Sequence, residues 1–283
     1  MPVLDSAYAA ARARQARVVF PEMEDSRVAD AVSRLRADGL VRPVPLSQPS
    51  QAHVDALVAS RGMKEGIARR MLGKPLYLAA AMVACGEADA MVAGADAPTR
   101  RVIEAAGICI GLAPGVALPS SFFLMLFPDG RDMVFADCAV NVAPDAAALA
   151  DIARASAGSA RALLGAARVA LLSYSTDSSG EGDSVAAVRA AARATGFAGP
   201  VQADAALNPA IARKKGIAPV DANVLVFPSL DAGNIAYKLC QELAGAQALG
   251  PFLQGFARPV CDLSRGATAE DIVAATVITA ACA

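Results

Sequence analysis

Tryptophan is absent from this 283-residue chain, histidine occurs once, and no two of its six cysteines form a C-x-x-C pair. The lone histidine, His53, stands in a polar stretch; it excludes a histidine-rich metal site and leaves a Ser-His-Asp triad a single base to draw on. Cys85, Cys109, Cys138, Cys240, Cys261 and Cys282 are widely spaced, each in or beside an apolar segment, which predicts reduced, buried thiols rather than a disulfide framework. Net charge is also missing. With 26 basic and 27 acidic residues balancing to −1, and with the cations scattered, no field gathers nucleic acid and an anionic ligand must be held locally. Long apolar runs are lacking as well: windows such as Leu76 to Ala84 and Ile272 to Ala281 fall far below the ~20 residues that span a bilayer. The positive mean hydropathy of +0.42 comes largely from alanine in helices. The opening Met1-Pro-Val-Leu-Asp-Ser has no basic region followed by an apolar core, so no signal peptide is read and a cytoplasmic location is expected.

What is present is enough core for two domains or one large one, since 55% of residues are apolar and only 19% charged. Ala16 to Pro21 reads as a buried strand. Val28, Ala31, Val32 and Leu35 then recur at helical spacing, and Val41 to Leu46 is a second strand, so the chain opens β-α-β with a parallel pairing. Helical patterns follow around His53 to Ser60, Lys64 to Leu72 and Leu76 to Cys85. Asp89 to Ala93 is a strand, and Pro98 starts the next helix. Pro119 to Phe127 and Met133 to Ala136 flank Asp129-Gly130, a hairpin signal that makes the sheet mixed. Beyond it lie a helix over 145–164, a strand over 168–173, a helix over 183–194, then Val201 to Ala203, more helix and the strand Val224 to Phe227. The rhythm is that of an α/β sandwich with parallel and antiparallel strands.

The stretch from Val224 to Gly266 draws the chemistry together: an apolar run ending in Pro228, a helix opening on Asp231 and Gly233, then the Gly- and Pro-punctuated segments Gly250 to Gly255 and Pro259 to Gly266. α/β proteins build sites from such segments at strand ends. Ser264-Arg265-Gly266 either places a hydroxyl and a guanidinium at one anionic group or is a surface turn with a solvated arginine. Asp271 occupies the reciprocal position of a capping box begun by Thr268, which accounts for it fully; one turn inside a helix behind a Ser-Arg loop, it is equally placed to be a general base. Between strand and helix, the loop Ser173 to Gly182, with Ser175, Ser178, Ser179 and Gly180, either aims amides and hydroxyls at a phosphate or is an ordinary Ser/Gly turn; it lacks the G-x-x-x-x-G-K pattern. Asn234 either caps its helix or binds a ligand, and Tyr237 is as readily a partly buried residue. There is no G-x-G-x-x-G turn after a strand and no cluster of metal-binding acids, which disfavours a dehydrogenase.

In order along the chain, Val19-Phe-Pro-Glu22-x-Glu-Asp25-x-Arg27, Gly86-Glu-Ala-Asp89-Ala-Met-Val-Ala-Gly94, Pro119-Ser-Ser-Phe-Phe-Leu-Met125, Ala136-Asp-Cys-Ala-Val-Asn141, Leu172-Ser-Tyr-Ser175, Gln202-x-Asp204-Ala, Phe227-Pro-x-Leu-x-Ala-Gly-Asn234-Ile-Ala-Tyr-Lys238 and Asp262-Leu-Ser-Arg-Gly266 resemble the phosphate acetyltransferase family and its phosphate butyryltransferase relatives. The resemblance covers nearly the whole chain and implies transfer of an acetyl group between coenzyme A and inorganic phosphate, with coenzyme A as substrate and with no metal or other cofactor. It implies a fold similar to isocitrate and isopropylmalate dehydrogenases: two α/β/α domains of mixed sheet, the first over 1–115 completed by 252–283, the second over 116–251, in a homodimer. The family's base then matches Asp271, and its serine and arginine match Ser264 and Arg265. Two family arginines are replaced, by Val58 and Glu104; Arg61, Arg100 and Arg101 are the candidates to supply their charge. Relative to the family, roughly a strand and a helix are missing between Leu46 and Ala52, and Cys261 stands where asparagine is common. These departures leave open a preference for propionyl or butyryl groups, or a weakened member that senses ligand.

Overall fold

The structure, a computed structural model, describes residues 2–282; Met1 and Ala283, which close the expected range of the first domain, lie outside the described residues. Two compact units are present: one runs to Pro119 and resumes at Gly250, and the other is Ser120–Leu249.

The first unit opens with α1 (Pro2–Arg14), β1 (Arg17–Val19), α2 (Ser26–Ala37) and β2 (Arg42–Val44). Then come α3 (Gln51–Arg61), α4 (Glu65–Leu72), α5 (Pro75–Ala84), β3 (Ala90–Ala93) and α6 (Thr99–Cys109). Helix α2 is capped by the Asp25 carboxylate and buries the stripe Val28, Ala31, Val32 and Leu35 that the spacing predicts. Helix α1 is not anticipated from the sequence. Its inward residues Val3, Ala7 and Ala11 are mostly alanine, and Ala9 and Ala13 lie elsewhere on the helix, so no apolar period stands out.

The second unit contains β4 (Ser120–Leu126), β5 (Asp132–Ala136), α7 (Ala146–Leu164), β6 (Val169–Leu172), α8 (Asp183–Thr195) and β7 (Ala198–Val201). It continues through α9 (Ala203–Leu207), α10 (Pro209–Lys214), β8 (Val224–Val226) and α11 (Leu230–Ala244). Along β9 (Gln247–Gln254) the chain returns to the first unit, which it completes with β10 (Val260–Asp262) and α12 (Ala269–Ala281).

Strands of the first unit are ordered β2-β1-β3-β10-β9, parallel except for β9, which runs antiparallel to β10. In the second unit the order is β4-β5-β8-β6-β7. There β4 and β5 form the antiparallel hairpin about Asp129-Gly130, and the rest run parallel to β5. Every residue of β4 is buried. Phe123 and Met125 on that strand join Phe135, Leu172, Val201, Leu225 and Phe227 in one core, where each fully buried large apolar side chain stabilises by about 1.5–3 kcal/mol.

Two local patterns are overruled by distant partners, and one expectation, that all the thiols are buried, is corrected. Strands β9 and β10 take up most of the Gly- and Pro-punctuated segments 250–255 and 259–262; ladder pairing of Val260 with Leu253 and Cys261 with Phe252 outweighs the local propensity of glycine and proline. His53 is fully buried despite its polar neighbours. Its Nδ1 accepts the Ser50 N–H (3.1 Å) to complete a capping box on α3, and its Nε2 lies 2.9 Å from the Glu87 carboxylate, while Gln51 and Asp55 take the exposed side of the helix. All six thiols are free, but only Cys109, Cys138 and Cys261 are buried; Cys85 and Cys282 are exposed and Cys240 is half-buried.

Candidate active site

In the first unit the connection from β1 to β2 runs one way across the sheet and the partner β3 lies on the other side of β1. A crevice therefore opens beyond the carboxyl ends of β1 and β3, where parallel sheets hold ligands. A cleft of about 790 Å³ occupies it, lined among others by Glu22, Asp25, Lys74, Tyr77, Asp96 and Arg101.

Glu22 in the β1–α2 turn and Arg27 in the first turn of α2 organise the loops around it. The Glu22 carboxylate accepts the backbone N–H groups of Gly94 (2.8 Å), Ala95 (2.9 Å), Asp96 (3.2 Å) and Ala97 (2.7 Å), gathering the loop after β3. Arg27 forks onto Asp25, donating from Nε to Oδ1 (3.1 Å) and from Nη2 to Oδ2 (2.6 Å). That bond holds the Asp25 carboxyl below the usual carboxylate range and raises the guanidinium. The same guanidinium donates to the carbonyls of Ala95 (3.0 Å), Arg265 (2.7 Å) and Ala267 (3.0 Å).

The loop so held leaves the end of β10. Leu263 N–H donates to Ala93 O (2.7 Å), and Asp262 just before it is fully buried. Thr99 Oγ1 donates to Asp262 Oδ2 (2.5 Å), while Oδ1 has no hydrogen-bond partner among the described residues. Burial pushes this carboxyl up to about 7; the Thr99 hydrogen bond acts the other way and the Glu22 charge adds to the rise. Gly94 must be glycine here: its φ is +104°, and a Cβ would stand 2.4 Å from Asp262 Oδ1 and 2.7 Å from Leu263 N.

Ser264, Arg265 and Gly266 are exposed. Ser264 Oγ accepts the Gly266 N–H (3.3 Å), and Ala267 N–H closes the turn on Ser264 O (2.9 Å). Helix α12 then starts at a complete capping box. Asp271 N–H donates to Thr268 Oγ1 (3.2 Å), and Asp271 Oδ2 accepts both the Thr268 N–H (3.0 Å) and the Thr268 hydroxyl (2.8 Å). Asp271 Oδ1 makes no hydrogen bond among the described residues. Capping thus occupies one oxygen of the carboxylate and not the other.

The candidate replacement arginines differ. Arg61 is committed to the end of α6, donating to Ile108 O (3.0 Å) and Gly107 O. Arg101 lines the cleft and pairs with Glu104 (2.9 Å). Arg100 is exposed and makes no hydrogen bond or ion pair among the described residues; it acts on Glu104 through space. Val58 is half-buried on α3.

In the second unit, the loop after β6 is bonded largely to itself. Ser175 is buried, its N–H donates to Ser173 Oγ (3.1 Å), and its hydroxyl shares a 3.2 Å bond with Ser179 Oγ, which also accepts the Thr176 N–H (2.9 Å). Ser178 is exposed, and a Cβ on Gly180 would lie 3.2 Å from Ser175 Cβ. Asn234, in the second turn of α11, donates to Cys138 O (3.1 Å), and the Tyr237 ring stacks on Phe123 with centroids 4.2 Å apart. Gly233 makes this approach possible, since a Cβ there would meet Asp137 O at 2.5 Å. Buried Asp137 accepts from Ser121, the N–H groups of Ala139 (3.0 Å), Val140 (3.2 Å) and Asn141 (3.0 Å), and the Asn141 amide (2.5 Å).

Ser264 and Arg265 therefore lie on the turn after β10 and Asp271 in the first turn of α12, all in the first unit, where Arg100 and Arg101 lie on α6. Ser175, Ser178, Ser179 and Gly180 share one loop of the second unit, and Asn234 and Tyr237 share one helix. Glu22, Arg27 and Asp137 carry no role in the sequence reading although the motifs containing them are visible there; nothing local reveals which distant backbone groups they collect. Among the described residues, no three His, Cys, Asp or Glu side chains cluster closely enough to hold a metal ion, and no helix is long and apolar enough to cross a membrane.

Two mixed α/β units, each built on a largely parallel sheet, have a dehydrogenase-like α/β architecture, and comparison specifies the family. The phosphate acetyl/butaryl transferase model matches residues 50–280. The chain is 43% identical to the phosphate acetyltransferase of Paracoccus denitrificans over 99% of both chains, and 37% identical to that of Acetivibrio thermocellus, covering 93% of this chain and 92% of the relative. A phosphotransacetylase from Streptococcus pyogenes superposes with a TM-score of 0.93 at 33% identity, over 99% of this chain and 98% of the other. The chain belongs to the phosphate acetyl/butaryl transferase family. It is an acyltransferase with the mixed α/β fold shared by the phosphotransacetylases.

Proposed function

We propose that this protein transfers an acetyl group reversibly between coenzyme A and inorganic phosphate, with Asp271 as the general base. The observation that carries the assignment is the unbonded Oδ1 of Asp271, held in place through Oδ2 in the first turn of α12, the helix that follows exposed Ser264 and Arg265. A thiol is a poor nucleophile until ionised. In the direction of acetyl-CoA synthesis, Asp271 takes the proton from the coenzyme A thiol, and Ser264 orients the sulfur. The thiolate attacks the carbonyl carbon of acetyl phosphate, negative charge collects on the carbonyl oxygen, and phosphate leaves with the electron pair of the broken C–O bond. Arg265 and the amino end of α12 oppose charge that is greatest at the transition state, which is where a donor accelerates the reaction. No electrons change hands, so the step draws on no redox cofactor.

Supporting roles follow for the second unit. Ser175, Ser178, Ser179 and Gly180 are proposed to meet a phosphate-bearing part of the substrate, with Asn234 and Tyr237 contributing from α11, and Arg100 and Arg101 to supply positive charge in place of the family arginines missing at Val58 and Glu104. Those two replacements also favour testing longer acyl groups. A homodimer is supported by Ile235, Leu239 and Leu243, which form an exposed apolar stripe at four-residue spacing on α11. A cytoplasmic setting suits a coenzyme A-dependent reaction.

Thiol release is to be measured from acetyl-, propionyl- and butyryl-CoA with phosphate varied. Phosphate-dependent release highest with acetyl-CoA is expected; absence of release from all three in folded protein refutes the assignment.

A further inference from the structure

We propose that Arg27 is a positioning residue for the reacting turn, fixing Ser264 and Arg265 without touching substrate. The inference rests on the reading of those two residues as reaction groups. A guanidinium has five N–H donors in a rigid fork, and all five of Arg27's are spent: Nε and one Nη2 donor on Asp25, the other Nη2 donor on Ala95 O, and both Nη1 donors on Arg265 O and Ala267 O. None remains for a phosphate or a carbonyl oxygen.

The partners define the task. Arg265 O and Ala267 O flank Gly266 on the turn between β10 and α12, and Ala95 O belongs to the loop after β3, the loop whose amides Glu22 collects. From one turn after β1, Glu22 therefore holds donors and Arg27 holds acceptors, and the three loops at the carboxyl ends of β1, β3 and β10 are tied together. Asp25 sets the plane of the guanidinium through both oxygens. The backbone of Arg265 is thereby fixed while its side chain stays exposed. Lysine has three donors and no fork, so it cannot hold both the turn and Asp25 in this geometry.

Arg27→Lys and Arg27→Ala are to be assayed with acetyl-CoA and phosphate. A turn displaced by about 1 Å lowers turnover on the order of 100-fold, with kcat and kcat/KM falling together because the lost alignment acts in the transition state. Methylguanidinium, added below the concentration that shifts Tm, is expected to restore part of the rate to Arg27→Ala but not to Asp271→Asn. Amide hydrogen exchange supplies a readout independent of turnover: Gly266 and Ala267 exchange faster in Arg27→Ala while the amides of β10 keep their protection. Wild-type turnover in folded Arg27→Ala, or unchanged exchange at 266–267, overturns the proposal. If the wild-type protein itself releases no thiol from any acyl-CoA, the functional assignment fails, and the exchange experiment still decides whether Arg27 fixes the turn.

Discussion

Glu104 accepts from two residues of the cleft at once, the Tyr77 hydroxyl at 2.8 Å and the Arg101 guanidinium at 2.9 Å. The Tyr77 bond and then Arg101 hold its carboxyl below the ordinary range despite partial desolvation. Where the family has an arginine, this chain has an anion that anchors a neighbouring arginine. Because the ion pair is largely exposed, it adds little to stability, so Arg101→Ala leaves Tm nearly unchanged. If Arg101 supplies the missing charge, loss of a charged hydrogen bond worth about 1.5–3 kcal/mol raises the apparent KM for acetyl-CoA or phosphate at least tenfold. Unchanged kinetics in both Arg101→Ala and Arg100→Ala reject the relocation of charge.

Asp271→Asn separates base from cap. The asparagine carbonyl still accepts the Thr268 N–H, so unfolding free energy drops by no more than about 1 kcal/mol, whereas loss of the base lowers kcat by about 10²–10⁴. Thr268→Ala is expected to do the reverse, costing about 1 kcal/mol with a smaller effect on turnover. Denaturant titration beside initial rates checks both; an active Asp271→Asn leaves Asp271 as a cap alone.

Buried Asp262 carries a pH signature. Its carboxyl lies at about 7 in the folded protein against an ordinary 3.8, so between those values the folded state binds the proton more tightly than the unfolded chain. The contribution of this group to stability is therefore full below pH 3.8 and lost as pH rises through 7. Asp262→Asn removes that slope and stabilises the protein relative to wild type at pH 8 by on the order of 1–3 kcal/mol. Urea unfolding at several pH values measures it; identical slopes contradict the raised value.

The α11 stripe bears on assembly. Leu243 is 81% exposed and Leu239 51%, an arrangement that invites an apolar partner. Leu239→Asp and Leu243→Asp together are expected to halve the mass found by light scattering without altering circular dichroism. A monomeric wild type, or an unchanged mass in the double variant, excludes this face as the dimer contact.

Much of the fold is legible in the sequence because its cues are local. The stripe Val28 to Leu35, the Asp129-Gly130 turn and the Thr268–Asp271 capping box each lie within a few residues and form as spaced. Legibility ends where partners are distant. Strands β9 and β10 pair with each other and β10 with β3 as well, and buried His53 finds its partner in Glu87, 34 residues away. Arg27 shows the limit for the candidate site: Ala95 and Arg265, whose carbonyls it gathers, stand 68 and 238 residues along the chain. No window of sequence contains such a bond. Asp271 is half legible, since spacing shows the cap but not which carboxylate oxygen it leaves unbonded.

Strand β10 lies inside the first unit's sheet, between β3 and β9, yet it is made after the whole second unit. On the ribosome, β1, β2 and β3 emerge early and wait on the order of ten seconds, at typical elongation rates, for the strand that covers the edge of β3. During that interval Arg27 and Glu22 are already in the nascent chain, while the carbonyls of Arg265 and Ala267 do not yet exist. The second unit can collapse on its own contacts meanwhile, and the turn carrying Ser264 and Arg265 is assembled last, so a chain released early carries every strand of the second sheet and lacks that turn.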